Sequence, residues 1–319
     1  MVRTRSLKPL TRRLLIALAL FVVAFAGFSI YADVSKLSAR MSHYAWWTFA
    51  VALGLTSLNY AVRFVRWQEF LRVAKIDIGV RDSASIFLSG FVMSITPGKV
   101  GEVLKSFLLR ERHQVPVARS APIVVAERVT DLVAVLLIAA AGVGVYHYGA
   151  PLVIASTSVV FIGLGILMSR RASLWMLHNI ARIPGLRKLA HKVEEFYDSL
   201  AELVKPGPLL KGTVLSLVAW ACECIGFWFI LIGFGATGTP RAWAAFIYAT
   251  TTLAGAVSFL PGGLLATELS MTALLMRGAT GFDKATAVAA TILCRLATLW
   301  FGVLVGLIAL GLRRRRRPA

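Results

Sequence analysis

Between Ser83 and Leu132 the chain carries a pattern that packing of apolar helices alone does not account for. A short apolar run, Ser83 to Thr96, stops at Pro97-Gly98. A second short run carries Lys99, Gly101, Glu102 and Lys105 and ends in Arg110-Glu111-Arg112. A long apolar helix then begins near Ala118 and holds Glu127, Arg128 and Asp131. Crossing a bilayer takes about twenty residues of helix. The runs beside Pro97-Gly98, about fourteen and fifteen residues, fall short of that. They predict a re-entrant hairpin or a broken helix, which is tolerated at membrane depth only where protein covers it or it lines a wet cavity. Ionisable residues in such a setting are costly and mark a functional site by default.

The setting is a membrane because the whole chain is too apolar for water. Of 319 residues 58% are hydrophobic, and the mean hydropathy is +0.74; soluble domains sit near 45–50% apolar. The fold class is therefore all-α and polytopic, one transmembrane domain over 1–319. Lys and Arg outnumber Asp and Glu by 35 to 15, a net +20. In a soluble chain that excess would suggest nucleic acid. Here no nucleic-acid module accompanies it, and basic helix ends on the cytoplasmic side explain it. Cys222, Cys224 and Cys294 lie in apolar runs without disulfide or zinc spacing and read as packing residues. The five histidines lack metal-ligand spacing, and no phosphate loop or nucleophile elbow is present, so no metal, cofactor or catalytic residue is assigned.

Six apolar runs are long enough to span: 14–32, 44–67, 118–147, 151–168, 209–234 and 285–312. The first is read as a transmembrane helix rather than a signal peptide, because it exceeds the usual apolar core and Ile30-Tyr31-Ala32 is a poor cleavage site. Trp46, Trp47 and Trp67 bracket the second span like an interfacial belt. Near its end stand Arg63 and Arg66, which either snorkel to headgroups or, in the case of Arg63, help receive a phosphate. The basic segment 169–211 has apolar residues at helical spacing (Leu186, Leu189, Val193, Phe196, Leu200, Leu203), suited to a cytoplasmic amphipathic connector on the membrane surface. An even number of spans puts both basic termini on one side, the cytoplasmic one, and the Lys/Arg-rich loops then fall inside.

A weaker copy of the charged stretch lies near the C-terminus. Gly255 to Leu260 leads into Pro261-Gly262-Gly263, then Glu268, Gly281 and a long helix with Arg295. With Arg128 set on Arg295, Ala118 falls on Ala285 and Leu132 on Leu299, whereas the prolines are three residues out of step (295 − 128 = 167; 261 − 97 = 164). Either this is an internal repeat of 83–132 and 243–300, or two apolar stretches coincide. As a repeat, with three full spans between the copies, the two broken elements enter from opposite sides. That is the inverted plan of alternating-access transporters.

A Pro-Gly break exposes backbone amides and a helix N-terminus, both of which favour an anion. Lys99, Arg128 and Arg295 add positive charge, and the arginine fork suits phosphate oxygens. Glu102, Glu127, Asp131 and Glu268 either neutralise these cations or change protonation during transport. Asp131, three residues from Arg128 and four from Glu127 on one helix side, reads as a structural ion-pair partner together with Glu127. Glu102 and Glu268 stay open between the two roles. Glu223 reads as a contact between helices.

Arg63-x-x-Arg66-Trp67, Pro97-Gly98-Lys99-x-Gly101-Glu102-x-x-Lys105, Glu127-Arg128-x-x-Asp131, Pro261-Gly262-Gly263, Glu268, Gly281 and Arg295 together resemble the flippase-like transmembrane family. That family is known from the membrane region of lysylphosphatidylglycerol synthases, and the resemblance runs from the first helix to the last. Leu265, Ala266 and Thr267 precede Glu268 where the family usually shows a glycine. The resemblance implies lipid translocation in a bacterial inner membrane. The binding set would be Arg63, Lys99, Glu102, Arg128, Glu268 and Arg295, and the gated breaks Pro97, Gly98, Gly101, Pro261, Gly262 and Gly263. In bifunctional relatives a separate cytoplasmic domain makes the aminoacyl lipid, whereas this chain is expected to lack it and to be no enzyme. Membrane lipids, chiefly anionic, are the expected partners, with a lipid-synthesis enzyme as a further one. Two other readings stand beside transport: a membrane subunit of an aminoacyl-lipid or hopanoid-type synthesis system, and a non-transporting scaffold.

Overall fold

The computed structural model describes residues 34–96, 102–146, a few positions between 151 and 165, 190–277 and 281–315. The expected first span, 14–32, lies outside the described residues, as does most of 151–168. Among the described residues there are helices and no strand. In chain order they are α1 (Val34–Ser42), α2 (Trp46–Val73), α3 (Val80–Gly90), α4 (Leu104–His113), α5 (Val117–Tyr146), α6 (Ala190–Leu203), α7 (Pro206–Gly233), α8 (Arg241–Val257), α9 (Ala266–Arg277), α10 (Lys284–Arg295) and α11 (Phe301–Arg315). Among the described residues four continuous helices are long and apolar enough to cross a membrane: α2, α5, α7 and the joined α10–α11. The chain is a helical, multi-pass membrane protein.

The two broken elements are hairpins that return to the end from which they enter. The first is α3, a 3-10 turn at Phe91–Met93, and α4. Its feet are tied together by Arg112 and Asp82, 3.2 Å apart. They stand at the end where Arg119, on α5, donates to the carbonyls of Ala74 and Lys75 just past α2. The second hairpin is α8, Pro261–Gly263 and α9. Its feet lie at the opposite end, where Tyr146 at the close of α5 meets Trp243 at the start of α8. There too Phe234 after α7 meets Phe282 before α10. The two hairpins therefore open at opposite ends, and each turns back to the end from which it starts. The copies begin slightly earlier than the sequence indicated, at Val80 and Arg241.

The hairpins meet at their tips. A Cβ placed on Gly262 would lie 3.3 Å from Ile95 Cγ2 and 3.6 Å from Ile95 Cα. Around them α2 and α7 form the most extensive helix pair, pinned where Asn59 Nδ2 donates to the Ala219 carbonyl at 2.7 Å. Helix α5 packs on α8, α7 and α6. The larger apolar core joins α5, α7, α8 and α10, and takes in Cys224 and Cys294; a second core surrounds Trp67, Phe70 and Phe87.

Two expectations about the membrane surface are corrected. Helix α2 runs on to Val73, so Trp67 is interior rather than interfacial, fully buried with its Nε1 donating to Ser83 Oγ at 3.0 Å. For the same reason Arg63 and Arg66 do not snorkel; both are buried. The connector also differs. Helix α6 turns Leu200 and Leu203 into the second core, against α5 and α2, rather than laying them on lipid. Helix α7 already begins at Pro206, inside the expected connector, with proline at its first position where no amide bond is lost.

Candidate functional site

Two turns before its end α2 presents Arg63 and Arg66; α5 presents Glu127, Arg128 and Asp131; α4 adds Lys105, with Glu102 just ahead of it. Spacings of three and four put each group on one helix face, and apolar packing then brings the faces together. Four cations meet three carboxylates. Arg66 Nη1 lies 2.6 Å from Asp131 Oδ1 and also bonds Thr130 and Ser216. Lys105 Nζ binds Glu127 and stands 3.7 Å from Glu102. Its ammonium sits 4.7 Å above the Trp67 ring. Arg128 Nη2 is 3.1 Å from both Glu102 and Asp131. Asp131 also takes Trp220 Nε1 at 3.2 Å and has Arg63 at 3.7 Å. Burying such charges is tolerable only because nearly every one has a close opposite partner.

Across from this network the second copy supplies one pair. Arg295 Nε lies 2.7 Å from Glu268 Oε1, and Arg295 Nη2 donates to the Gly262 carbonyl at 2.5 Å. Immediately after Arg295 the helix loosens into a π segment, Leu296–Trp300. Such bulges are frequent at functional sites. The Tyr60 hydroxyl donates to the Thr298 carbonyl there at 3.0 Å, meeting an acceptor in the irregular turn.

Between the two copies lies a cavity of about 400 Å³, within the range of small-molecule sites. Arg63, Arg128 and Arg295 line it, with Glu102, Asp131 and Glu223. Gly262 and Gly263 from the second tip, and the apolar Phe91, Leu132 and Phe259, complete its wall. The Nε donors of all three arginines are buried without a hydrogen-bond partner. Buried donors of this kind call for an acceptor. The Tyr248 hydroxyl donates to Glu223 Oε2 at 3.0 Å beside the same cavity.

Of the expected binding set, Arg63, Glu102, Arg128 and Arg295 converge on this cavity. Glu268 stands beside it as the partner of Arg295 and is not part of the wall. Lys99, Pro97, Gly98 and Gly101 lie outside the described residues. Gly262 and Gly263 have positive φ, 62° and 68°, with Pro261 ahead of them. Glu127 takes Lys105 and Arg66, while Asp131 holds an ion-pair hub and also faces the cavity. Sequence reasoning missed Arg66 and Lys105 as the core of the network. Their spacing to Arg63 and Glu102 was visible, but burial was not. It also missed Trp220, Ser216 and Tyr248, whose roles depend on how α7 and α8 dock.

Comparison with known proteins now bears on this arrangement. The family model described as the lysylphosphatidylglycerol synthase TM region matches residues 13–306. The chain belongs to that family. Within the lysylphosphatidylglycerol synthase TM-region family it is similar to a UPF0104 membrane protein of Pyrococcus horikoshii, 26% identical over 285 residues, covering 80% of this chain and 84% of the relative. A UPF0104 membrane protein of Methanothermobacter thermautotrophicus is 24% identical over 285 residues, covering 82% and 83%. The match takes in both hairpins and every arginine of the cavity.

Proposed function

We propose that this protein moves a phosphate-bearing, anionic lipid between the leaflets of a cytoplasmic membrane, with both termini on the cytoplasmic side. One observation carries the reading. A cavity at the meeting point of the two hairpins is lined by Arg63, Arg128 and Arg295, each with a buried Nε in no hydrogen bond, that of Arg295 lying against Glu268. Guanidinium forks select planar oxygen pairs such as those of phosphate. The polar cavity wall suits a headgroup, and the apolar wall suits the first carbons of a tail. Paired elements inserted from opposite sides are the framework on which alternating access is built.

The test is translocation in proteoliposomes. Labelled anionic phospholipids and polyprenyl phosphates are compared with a zwitterionic lipid, using wild type and Arg128→Ala. Movement of an anionic class, lost in Arg128→Ala while the protein stays folded, is the expected result. Equal movement by the variant, or movement of the zwitterionic lipid alone, overturns it.

A second reading draws on the family description, which refers to a lysylphosphatidylglycerol synthase. On it the chain is the membrane partner of a lipid-modifying enzyme. Absence of movement of every lipid by folded protein, together with co-purification of a transferase, favours that reading. A scaffold role predicts that exchanging the charges of Arg128 and Asp131 leaves function intact, which the transport reading does not.

A further inference from the structure

The two copies hold their cavity arginines in the same way. Arg128 is paired with Glu102, the carboxylate that follows the first break, and Arg295 with Glu268, which follows the second. The separations along the chain match closely: 128 − 102 = 26 and 295 − 268 = 27. Each arginine faces the cavity, and each carboxylate belongs to the returning half of its own hairpin.

The second pair differs from the purely structural one at its carboxylate, because Asp131 Oδ1 is hydrogen-bonded and neither Glu268 oxygen is. Arg66 is fully buried and its Nη1 bonds Asp131, Thr130 and Ser216, although its Nε, like that of Arg295, makes no hydrogen bond. Arg295 Nε and Glu268 Oε1 are 2.7 Å apart, yet neither that nitrogen nor either Glu268 oxygen is in a hydrogen bond. Charge holds the pair together, without the alignment that makes a guanidinium–carboxylate contact strong. Glu268 is itself more than nine-tenths buried. A buried carboxylate and a partly buried guanidinium whose Nε is unmet, side by side at the cavity, form a contact ready to be exchanged.

Resting on the anionic-lipid reading, we infer that Glu268, and more weakly Glu102, are placeholder anions. Each holds a cavity arginine while no cargo is present and is displaced by the cargo phosphate. A phosphate offers two oxygens to the fork and satisfies the donors that the carboxylate leaves unmet. The displaced carboxylate then competes for the arginine and lowers the affinity of the cargo. Transport sites need that balance, because binding must be weak enough for release. Arg295 also donates to the Gly262 carbonyl, so exchange at this pair is transmitted to the hairpin tip that faces Ile95. Arg128 keeps a second carboxylate, Asp131, at 3.1 Å, so losing Glu102 neutralises it less completely.

The experiment uses the full purified chain. Binding of dihexanoyl phosphatidylglycerol, dihexanoyl phosphatidylcholine and inorganic phosphate is measured for wild type, Glu268→Gln and Glu102→Gln. Lipid movement in proteoliposomes is followed in parallel. Removing one buried negative charge beside the fork should tighten phosphatidylglycerol binding about tenfold in Glu268→Gln. Lipid movement should slow several-fold in the same variant, because release loses its competitor. Glu102→Gln should tighten binding by less. Phosphatidylglycerol binding that is unchanged or weaker in Glu268→Gln overturns the placeholder role, since a carboxylate that competes with the cargo for Arg295 must weaken binding while it is present. If Glu268→Gln does not fold, Glu102→Gln decides by the same sign. Tightening confined to phosphatidylglycerol supports a lipid headgroup as the cargo. Inorganic phosphate bound by wild type as tightly as phosphatidylglycerol, with both tightened in Glu268→Gln, keeps the placeholder role but overturns the lipid reading. Wild type that binds neither anion overturns the lipid reading, and the placeholder role with it.

Discussion

Ile95 faces Gly262 so closely that a Cβ on Gly262 would lie 3.3 Å from Ile95 Cγ2, and there the two hairpins that enter the protein from opposite ends approach each other. The approach depends on Gly262 in two ways. Its φ of 62° suits a residue without Cβ, and an added Cβ would press on Ile95 and on Leu299, at 3.3 and 3.2 Å.

Gly262→Ala should therefore lower stability by about 1–2 kcal/mol from the left-handed backbone alone. It should slow lipid movement further by separating the tips. Thermal unfolding in detergent and the proteoliposome assay check the two effects. A variant as stable and active as wild type would show that the tips need not meet.

Gly255 faces Thr267 across the second hairpin so closely that a Cβ on Gly255 would strike the threonine hydroxyl. Gly255→Leu should splay α8 from α9 and move Arg295 away from the Gly262 carbonyl. The expected readout is loss of anionic-lipid binding with a modest fall in melting temperature. Retained binding would mean that the hairpin legs have freedom to spare.

Arg66 and Asp131 form a structural pair within the network, 2.6 Å apart and almost fully buried. Removing one partner strands the other, at a typical cost of about 3–5 kcal/mol. Arg66→Met should fall at the low end, because Asp131 keeps Arg63 and Arg128. The expected outcome is reduced yield of folded protein, measured by size exclusion and thermal unfolding. Arg128→Ala should be milder on folding and harsher on transport, because Arg128 faces the cavity.

At the opposite end Asp283 caps α10, accepting from the Thr286 amide at 3.1 Å, with Arg40 of α1 at 3.0 Å. Hydrogen bonds from Thr286 and the neighbouring Arg40 hold the Asp283 carboxyl below its usual value, against partial burial. The folded value is depressed, so the contribution is fully present above the unfolded value and is lost as pH falls through the folded one. Asp283→Ala should cost about 1 kcal/mol as a lost cap. The gap in melting temperature between wild type and variant should shrink as the medium is acidified below the ordinary carboxylate range. The Arg40 part should be small and salt-sensitive, because both side chains are about half exposed.

Much of this architecture is legible along the chain because the bilayer imposes a length rule. Runs of twenty apolar residues marked α2, α5, α7 and α10–α11, and runs too short to cross, interrupted at Pro-Gly, marked the broken elements. The matched positions of Arg128 and Arg295 marked two charged stretches that the structure brings to one cavity. These signals are local: each is set by the cost of exposing backbone or charge to hydrocarbon within one segment.

Depth and partnership were not local. The pattern did not reveal that α2 continues to Val73, so Trp67 and Arg66 read as interfacial, yet docking of α3, α5 and α7 buries them. Helix α6 has the period of a surface helix, and only the presence of an apolar groove on α5 and α2 decides that Leu200 and Leu203 face protein. Sequence alone marked the four described helices long and apolar enough to cross a membrane and the residues too costly to sit there without purpose. The tertiary structure decided which carboxylate each arginine holds, that both hairpins turn back, and that their tips close on one cavity. Those outcomes depend on contacts between residues tens to hundreds of positions apart, where burial strengthens every charge pair and no single segment carries the information.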